Sequence, residues 1–312
     1  MELIVDTIGT RVRIKNRMII VQNEYDYREF SPFKLDKIIL SSKTSISGEV
    51  ISSCKKNMID LIFLDEYNYP CARLWNNKFG SISTIRRNQM EFFKMNMSYE
   101  FIKKWQIQKF NLYLKLIDSG IEKNKILKYI SLIEKVDTNL SLREFRKEIL
   151  KYESNASKMF FKAINKKLNE KYRVKKREKR NSKTKFNSML NYSFGILYNY
   201  LEKEIIISGL DPSVGILHID NYSKVPFVYD FIEKYRYFSY KSILNMLENE
   251  NFCEEDFVLE SDRILLGKNV RKQISIYFNI EIRKEKQNIK RYLSKISKFL
   301  LKEDYYELLN WL

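Results

Sequence analysis

His218 lies twelve residues before Asp230 and fifteen before Glu233, in the stretch GLDPSVGILHIDNYSKVPFVYDFIEKYR that covers residues 209–236. It is the only histidine in a chain of 312 residues. One imidazole and two carboxylates are the ligand types that suit Mg2+ or Mn2+. The GLDP turn ahead of His218 breaks a helix, so the imidazole is expected on a short ordered segment outside a long one. Asp230 and Glu233 are three apart in a run with apolar residues at Phe227, Phe231 and Tyr235. That spacing puts both carboxylates on one side of a helix. A D-x-x-E pair is also a common feature of a solvated helix face, and a single histidine is more often packed than ligating. Distance along the chain fixes no distance in space.

The elements that must position these groups fall into two kinds. Residues 1 to about 75 carry short apolar or alternating runs: Leu3–Val5, Val12–Ile14, Met18–Val21 and Lys37–Leu40. Gly9-Thr10 and Lys15-Asn16-Arg17 supply turns between them. Thr44-Ser45 is expected to cap a helix bearing Ile46, Val50 and Cys54, and Asp60–Asp65 and Ala72–Trp75 read as further strands. From Ser98 the period becomes helical. Ser98 is expected to cap a helix reaching Asp118-Ser119-Gly120, and Ser141-x-x-Glu144 is a capping box. Glu153 opens a further stretch with Ala156, Phe160 and Ile164 at helical spacing. Asn187–Ser208 is a long helix ended by Gly209. The fold class is therefore α+β: a small β-rich, β-sandwich-like domain over residues 1–77, a linker over 78–95, and a larger all-α domain over 96–312.

The formal charge is +18, from 57 basic and 39 acidic residues. Such an excess points to a polyanionic partner, and nucleic acid suits it better than a membrane, since no apolar run approaches the length of a span. The N-terminal MELIVDTIGT lacks the basic start and apolar core of a signal peptide, so a cytoplasmic location is expected. Cys54, Cys71 and Cys253 have no metal-ligand spacing and read as reduced thiols, two of them in cores. Phosphate contact is expected from Arg86 and Arg87, from Lys162 and Lys166, and from the run that holds Arg173, Lys175, Lys176, Arg177, Lys179 and Arg180. A run of that kind is also the usual dress of a solvated helix end. Arg236 either contacts a phosphate or pairs with Asp230, and pairing is the slightly favoured reading.

The ordered set E…N-S-M-L-N-Y…G-x-x-P-x-x-G-x-L-H…D-x-x-E-x-x-R resembles the CRISPR-associated integrase family, CRISPR-associated protein 1. Its residues here are Glu153, then Asn187 to Tyr192, then Gly209, Pro212, Gly215, Leu217 and His218, and finally Asp230, Glu233 and Arg236. The likeness spans most of the chain and weakens after about residue 240. Ser154 stands where the family often has glycine, and Lys234 where it commonly has proline; neither removes a ligand.

The resemblance implies a catalytic set of Glu153, His218, Asp230 and Glu233. Glu153, His218 and Glu233 would hold Mg2+ or Mn2+, and Asp230 would orient a ligand or a bound water beside them. It implies an endonuclease and integrase of CRISPR adaptation in a prokaryotic cytoplasm. A 3′-hydroxyl of a captured double-stranded DNA fragment attacks a phosphodiester of the CRISPR repeat DNA, by transesterification. It also implies a homodimer formed through the β domain, two dimers being bridged by CRISPR-associated protein 2 into a heterohexamer. Two other readings fit the same residues: a non-catalytic structural DNA-binding subunit, and a repair nuclease acting on branched DNA.

Overall fold

Arg11, Arg13 and Lys15 point to solvent while Val12 between them is buried, an alternation that makes this segment a strand with one face on a core. In the computed structural model, which describes residues 1–66, 70–74, 82–118, 120–179, 182–218, 224–260 and 263–311, the chain divides into two units, Met1–Gly80 and Ser81–Leu312.

The first unit holds β1 (Glu2–Val5), β2 (Arg11–Lys15), β3 (Met18–Gln22), β4 (Tyr27–Phe30), β5 (Lys37–Leu40), β6 (Ser45–Ile46), α1 (Gly48–Lys56), β7 (Asp60–Leu64) and β8 (Pro70–Arg73). One sheet has the order β1-β5-β7-β8, with β1, β5 and β7 parallel and β8 antiparallel to β7. The other has the order β4-β3-β2-β6, antiparallel except where β6 runs parallel to β2. Val5, Val12, Ile19, Ile38, Leu40 and Leu61 from both sheets share one core with Val50 and Cys54 of α1. Asn16 and Arg17 turn β2 into β3 with φ of 50° and 62°, the left-handed pair that suits a two-residue hairpin. The helix after Thr44 starts at Gly48 with Ser47 at its N-cap, because Ser45–Ile46 is taken up by pairing with β2. Of the three thiols only Cys54 is buried; Cys71 and Cys253 are exposed.

The second unit is built from α2 (Ile82–Lys94), α3 (Tyr99–Tyr113), α4 (Ile121–Glu134), α5 (Leu142–Lys167), α6 (Lys185–Ile207), α7 (Pro226–Ile232) and α8 (Arg236–Asn249). A short hairpin, β9 (Phe257–Glu260) and β10 (Arg263–Leu266), precedes α9 (Lys268–Ile282), α10 (Glu285–Lys302) and α11 (Tyr305–Trp311). Its core is aromatic: Trp105 packs edge-on to Phe231 at 5.3 Å, and Tyr113 stacks on Phe160 at 3.8 Å.

Three local expectations change. Most of the stretch read as a linker, residues 78–95, is helix α2. Its Ile85, Phe92 and Phe93 are buried, and Asn88 and Gln89 are buried with them as hydrogen-bonding anchors. The helix after Ser98 ends at Tyr113 and tightens into a 3-10 turn over Leu114–Leu116 instead of reaching residue 118. Glu153 opens nothing: it lies in the middle of α5, a helix of 26 residues whose capping box at Ser141 and Glu144 forms in both directions.

Candidate catalytic site

Helix α5 presents Phe145, Ile149, Ala156, Phe160 and Ile164 to the core, and Glu153 falls within that apolar stripe. Helix α3 does the same with Ile102, Trp105 and Tyr113, and places Lys109 within its stripe. These two polar interruptions meet. Lys109 Nζ donates to Glu153 Oε1 at 2.5 Å and to Glu233 Oε2 at 2.5 Å, with Gln106 Oε1 as a third acceptor at 3.4 Å. An ammonium has three donors and no acceptor, so this one is fully engaged. Arg236 Nη2 donates to the other oxygen of Glu233 at 2.9 Å, and Ser157 Oγ donates to Glu153 Oε1 at 2.8 Å. Arg236 thus pairs with Glu233, and the pairing with Asp230 read from the sequence does not form, because Asp230 is held elsewhere.

Burial opposes charge on all four groups, and their mutual attraction overrides it. Burial disfavours the ionised Glu153, yet the Lys109 ammonium holds its carboxyl down at about 2. Glu233 is likewise lowered against its burial, by Arg236 and then Lys109. Lys109 and Arg236 are raised against theirs by the two glutamates. The result is two anions and two cations interlocked in the helical core.

Asp230 has a different task. Its carboxylate accepts the backbone N–H of Ile216 at 2.6 Å, of Leu217 at 3.0 Å and of His218 at 3.0 Å. It also meets His218 Nδ1 at 2.6 Å. Asp230 therefore shapes the loop between α6 and α7 and fixes the imidazole through Nδ1, which turns Nε2 away from it. That loop begins at Gly209, whose φ of 87° ends α6. Gly215 lets it pass close to α7: a Cβ there would lie 2.5 Å from Pro226 Cβ and 2.8 Å from its backbone carbon. Gln89 of α2 pins the loop from one side, donating to the carbonyls of Asp211 and Val214 and accepting from Asp211 N. Arg146 of α5, two turns ahead of Glu153, grips the carbonyl of Ile216 at 2.8 Å.

The two carboxylates of the D-x-x-E pair consequently diverge. Asp230 lies in the last turn of α7 and faces the histidine loop, whereas Glu233 opens a 3-10 turn and faces Lys109. Glu153 and Glu233 come together; His218 pairs with Asp230. Among the described residues, no three His, Cys, Asp or Glu side chains gather closely enough to hold a metal ion. The fit of a divalent cation can still be judged from the glutamates, which already clasp one positive charge between them at 2.5 Å on either side. Two anionic oxygens around a cation are the donor type that Mg2+ or Mn2+ takes; the imidazole nitrogen is of a compatible type, but it is not gathered with them here.

The basic residues separate into two groups. Arg87, Arg173, Lys175, Lys176 and Lys179 are exposed. Lys162 and Lys166 are exposed as well, and both reach Glu122 of α4, at 3.5 Å and 2.8 Å. Arg86 lies 3.8 Å from Asp211. Arg177 departs from its neighbours. It turns inward, donating to Asn187 Oδ1 at 3.2 Å and to Asn191 Oδ1 at 2.6 Å, and its guanidinium faces the Phe194 ring at 5.5 Å. Arg177 thus ties the end of the described stretch 173–179 to α6. Arg180 lies outside the described residues. Sequence reading missed Lys109, Gln89 and Arg146, and the signal for Lys109 was its charge at a core position of the 102–105–109–113 stripe.

The fold defines the class: a small two-sheet unit followed by a helical one that carries every charged group of this site. The family is set by the sequence, which matches CRISPR associated protein Cas1 over residues 3–279. The chain belongs to that family. It is 27% identical over 257 residues to the CRISPR-associated endonuclease Cas1 1 of Archaeoglobus fulgidus, covering 76% of this chain and 74% of that one. Its fold is similar to that of a CAS1 protein from Thermotoga maritima, with a TM-score of 0.83 at 16% identity over 96% of this chain and 97% of that one. It is also similar to a casposase bound to integration product, at 0.81 and 18% identity, over 97% and 91% of the two chains. A chain of a Cas6-RT-Cas1–Cas2 complex gives 0.77 at 15% identity, covering 97% of this chain and 35% of that one. Among the described residues no helix is long and apolar enough to cross a membrane.

Proposed function

We propose that this chain joins DNA into a CRISPR array. A 3′-hydroxyl on a captured double-stranded fragment attacks a phosphodiester of the repeat and displaces a 3′-oxygen, one ester replacing another. Glu153, Glu233 and His218 would hold a divalent cation, Mg2+ or Mn2+, which supplies a lowered pKa for the attacking hydroxyl and charge neutralisation at the phosphoryl oxygens. The single observation that carries the reading is the convergence of Glu153 and Glu233, from separate helices, on one buried cationic nitrogen.

The chain's own residues would do the positioning that phosphoryl transfer mostly needs. Asp230 ties down the backbone of residues 216–218 and keeps the imidazole aimed. Arg236 holds the Glu233 oxygen that Lys109 does not contact. Exposed Arg87, Lys162, Lys166, Arg173, Lys175, Lys176 and Lys179 would neutralise DNA phosphates, so affinity should fall steeply as salt rises. The likeness to a casposase bound to integration product favours joining, and the likeness to a chain of a Cas1–Cas2 complex favours Cas2 as partner. A homodimer, with two dimers bridged by that partner, completes the proposed assembly.

A strand-transfer assay tests this, with labelled duplex carrying free 3′-hydroxyls, a plasmid bearing the repeat, the partner protein and Mg2+ or Mn2+. His218→Ala and chelation by EDTA should each abolish joining while leaving DNA retained in a filter assay. Cleavage without joining would support a repair nuclease instead, and binding without either a structural subunit. Joining at the wild-type rate by the His218→Ala protein would overturn the site assignment.

A further inference from the structure

The lysine between the glutamates is the one charged group of the site that the proposed reaction leaves unused. Lys109 is 1% exposed, and its ammonium lies between two carboxylates that the proposed function assigns to a divalent ion. The same Glu153 and Glu233 oxygens cannot grip both cations at 2.5 Å. With Lys109 and Arg236 in place the two glutamates are already neutralised, so a doubly charged ion entering beside them would meet no net attraction.

We propose that Lys109 is the resident counter-cation of the glutamate pair: its ammonium holds Glu153 and Glu233 together while no divalent ion is bound, and the ion binds by displacing it. This rests on the reading of Glu153 and Glu233 as metal ligands. Three features of the structure support it. The residue is a lysine, a point charge on a flexible four-carbon stem, rather than an arginine whose planar fork would lock both carboxylates. The Glu153 side chain is 20% exposed against 1% for Lys109, so solvent reaches this glutamate more readily than the ammonium. The ammonium also already borders aromatic faces that would stay beside it once the glutamates release it, Lys109 Nζ being 4.8 Å from the Phe110 ring centre and 5.9 Å from that of Tyr113. Aromatic faces hold a desolvated ammonium favourably.

Binding the ion therefore exchanges one cation for another, and the affinity measured is a difference between the two. Lysine-to-methionine replacement keeps the length of the stem and removes the competitor. In a titration of free Mn2+ followed by electron paramagnetic resonance, Lys109→Met should bind Mn2+ about tenfold more tightly than the wild type, or better. In EDTA the same variant should melt below the wild type, because the two carboxylates have lost the ammonium they share and Glu233 keeps only Arg236. Added Mn2+ should raise its Tm far more than it raises that of the wild type.

Glu153→Gln separates this inference from the reading beneath it. If Glu153→Gln binds Mn2+ as well as the wild type, the metal-site reading fails. If Glu153→Gln loses Mn2+ while Lys109→Met binds no more tightly than the wild type, the exchange alone fails. Should Lys109→Met not fold in EDTA, Lys109→Gln, which can still donate to one glutamate, is measured in its place. If neither variant folds even in Mn2+, the exchange is overturned, since an ion that replaces the ammonium must also replace its tie.

Discussion

Asp230 and Glu233 are three residues apart, equally anionic and both buried, yet they satisfy their charge in opposite ways. Asp230 is surrounded by backbone: three consecutive amides and the imidazole it aims. Glu233 is surrounded by side-chain cations, Lys109 and Arg236. A carboxylate held by amides is committed, because releasing it undoes the loop that supplies them. One held by a lysine is exchangeable, because a side chain can swing away while both helices stay where they are. The difference teaches which acid belongs to the scaffold and which is available to chemistry, a distinction that residue type alone does not carry.

The comparison breaks first at Asp230. Asp230→Ala would leave three N–H groups, two of them buried, without their charged acceptor and free the His218 ring. The cost should be about 3 kcal/mol or more in urea unfolding, given the strength of bonds to charged groups and the penalty for orphaned donors. Joining should fall with it, because the imidazole loses its aim. If Asp230→Ala unfolds like the wild type, the carboxylate does not organise the loop. Gly215→Ala tests the same loop from the other side. Its Cβ would lie 2.8 Å from the Pro226 backbone carbon and 3.0 Å from Asp230 Oδ2. Overpacking of that kind should cost about 2 kcal/mol. Gly195→Ala, in α6 with nothing within 4 Å of the added atom, serves as the control and should be neutral or slightly stabilising.

How much of this was readable beforehand follows from what a pattern can report. Period two in Arg11–Lys15 and period 3.6 in α5 and α6 gave the strand-rich and helical regions, because faces follow from spacing. Glu153, His218, Asp230 and Glu233 were visible through the ordered motif that the chain shares with its family. Partners are another matter. Lys109 carried the same signal as Glu153, a charge inside an apolar stripe, but a lysine stem commonly lies along an apolar face with its head in water. Only the packing of α3 against α5 denies it that escape. Helix α2 was read as linker because the stretch from Lys78 to Asn88 is polar and carries Arg86 and Arg87; Asn88 and Gln89 are in fact buried, as anchors for Leu300 and for the histidine loop. Arg177 looked like its basic neighbours until Asn187 and Asn191, one turn apart on α6, gave it an inward site.

The smallest effect sharpens the comparison on the glutamate side. Ser157 lies one turn beyond Glu153 on α5 and donates to Oε1 at 2.8 Å, so it helps to hold the carboxylate charged. Glu153 is lowered from 4.5 to about 2 in the folded protein. A carboxyl lowered in this way contributes stability that is fully present above its unfolded value and is lost as pH falls through the folded one. Its window is therefore the acid limb between about 4.5 and about 2. Ser157→Ala removes one of the interactions that lower Glu153 and leaves Lys109 in place. The folded value should rise part of the way toward 4.5, and the midpoint of acid unfolding should move to higher pH. At neutral pH the loss should be about 1 kcal/mol or less, the worth of one hydrogen bond. Circular dichroism followed from pH 7 downward reads both. An unchanged acid midpoint would mean that the cations, Lys109 first and then Arg236, set the charge of Glu153. The cluster would then resemble Asp230 in depending on one kind of partner, and the contrast between the two acids would narrow to the mobility of the lysine.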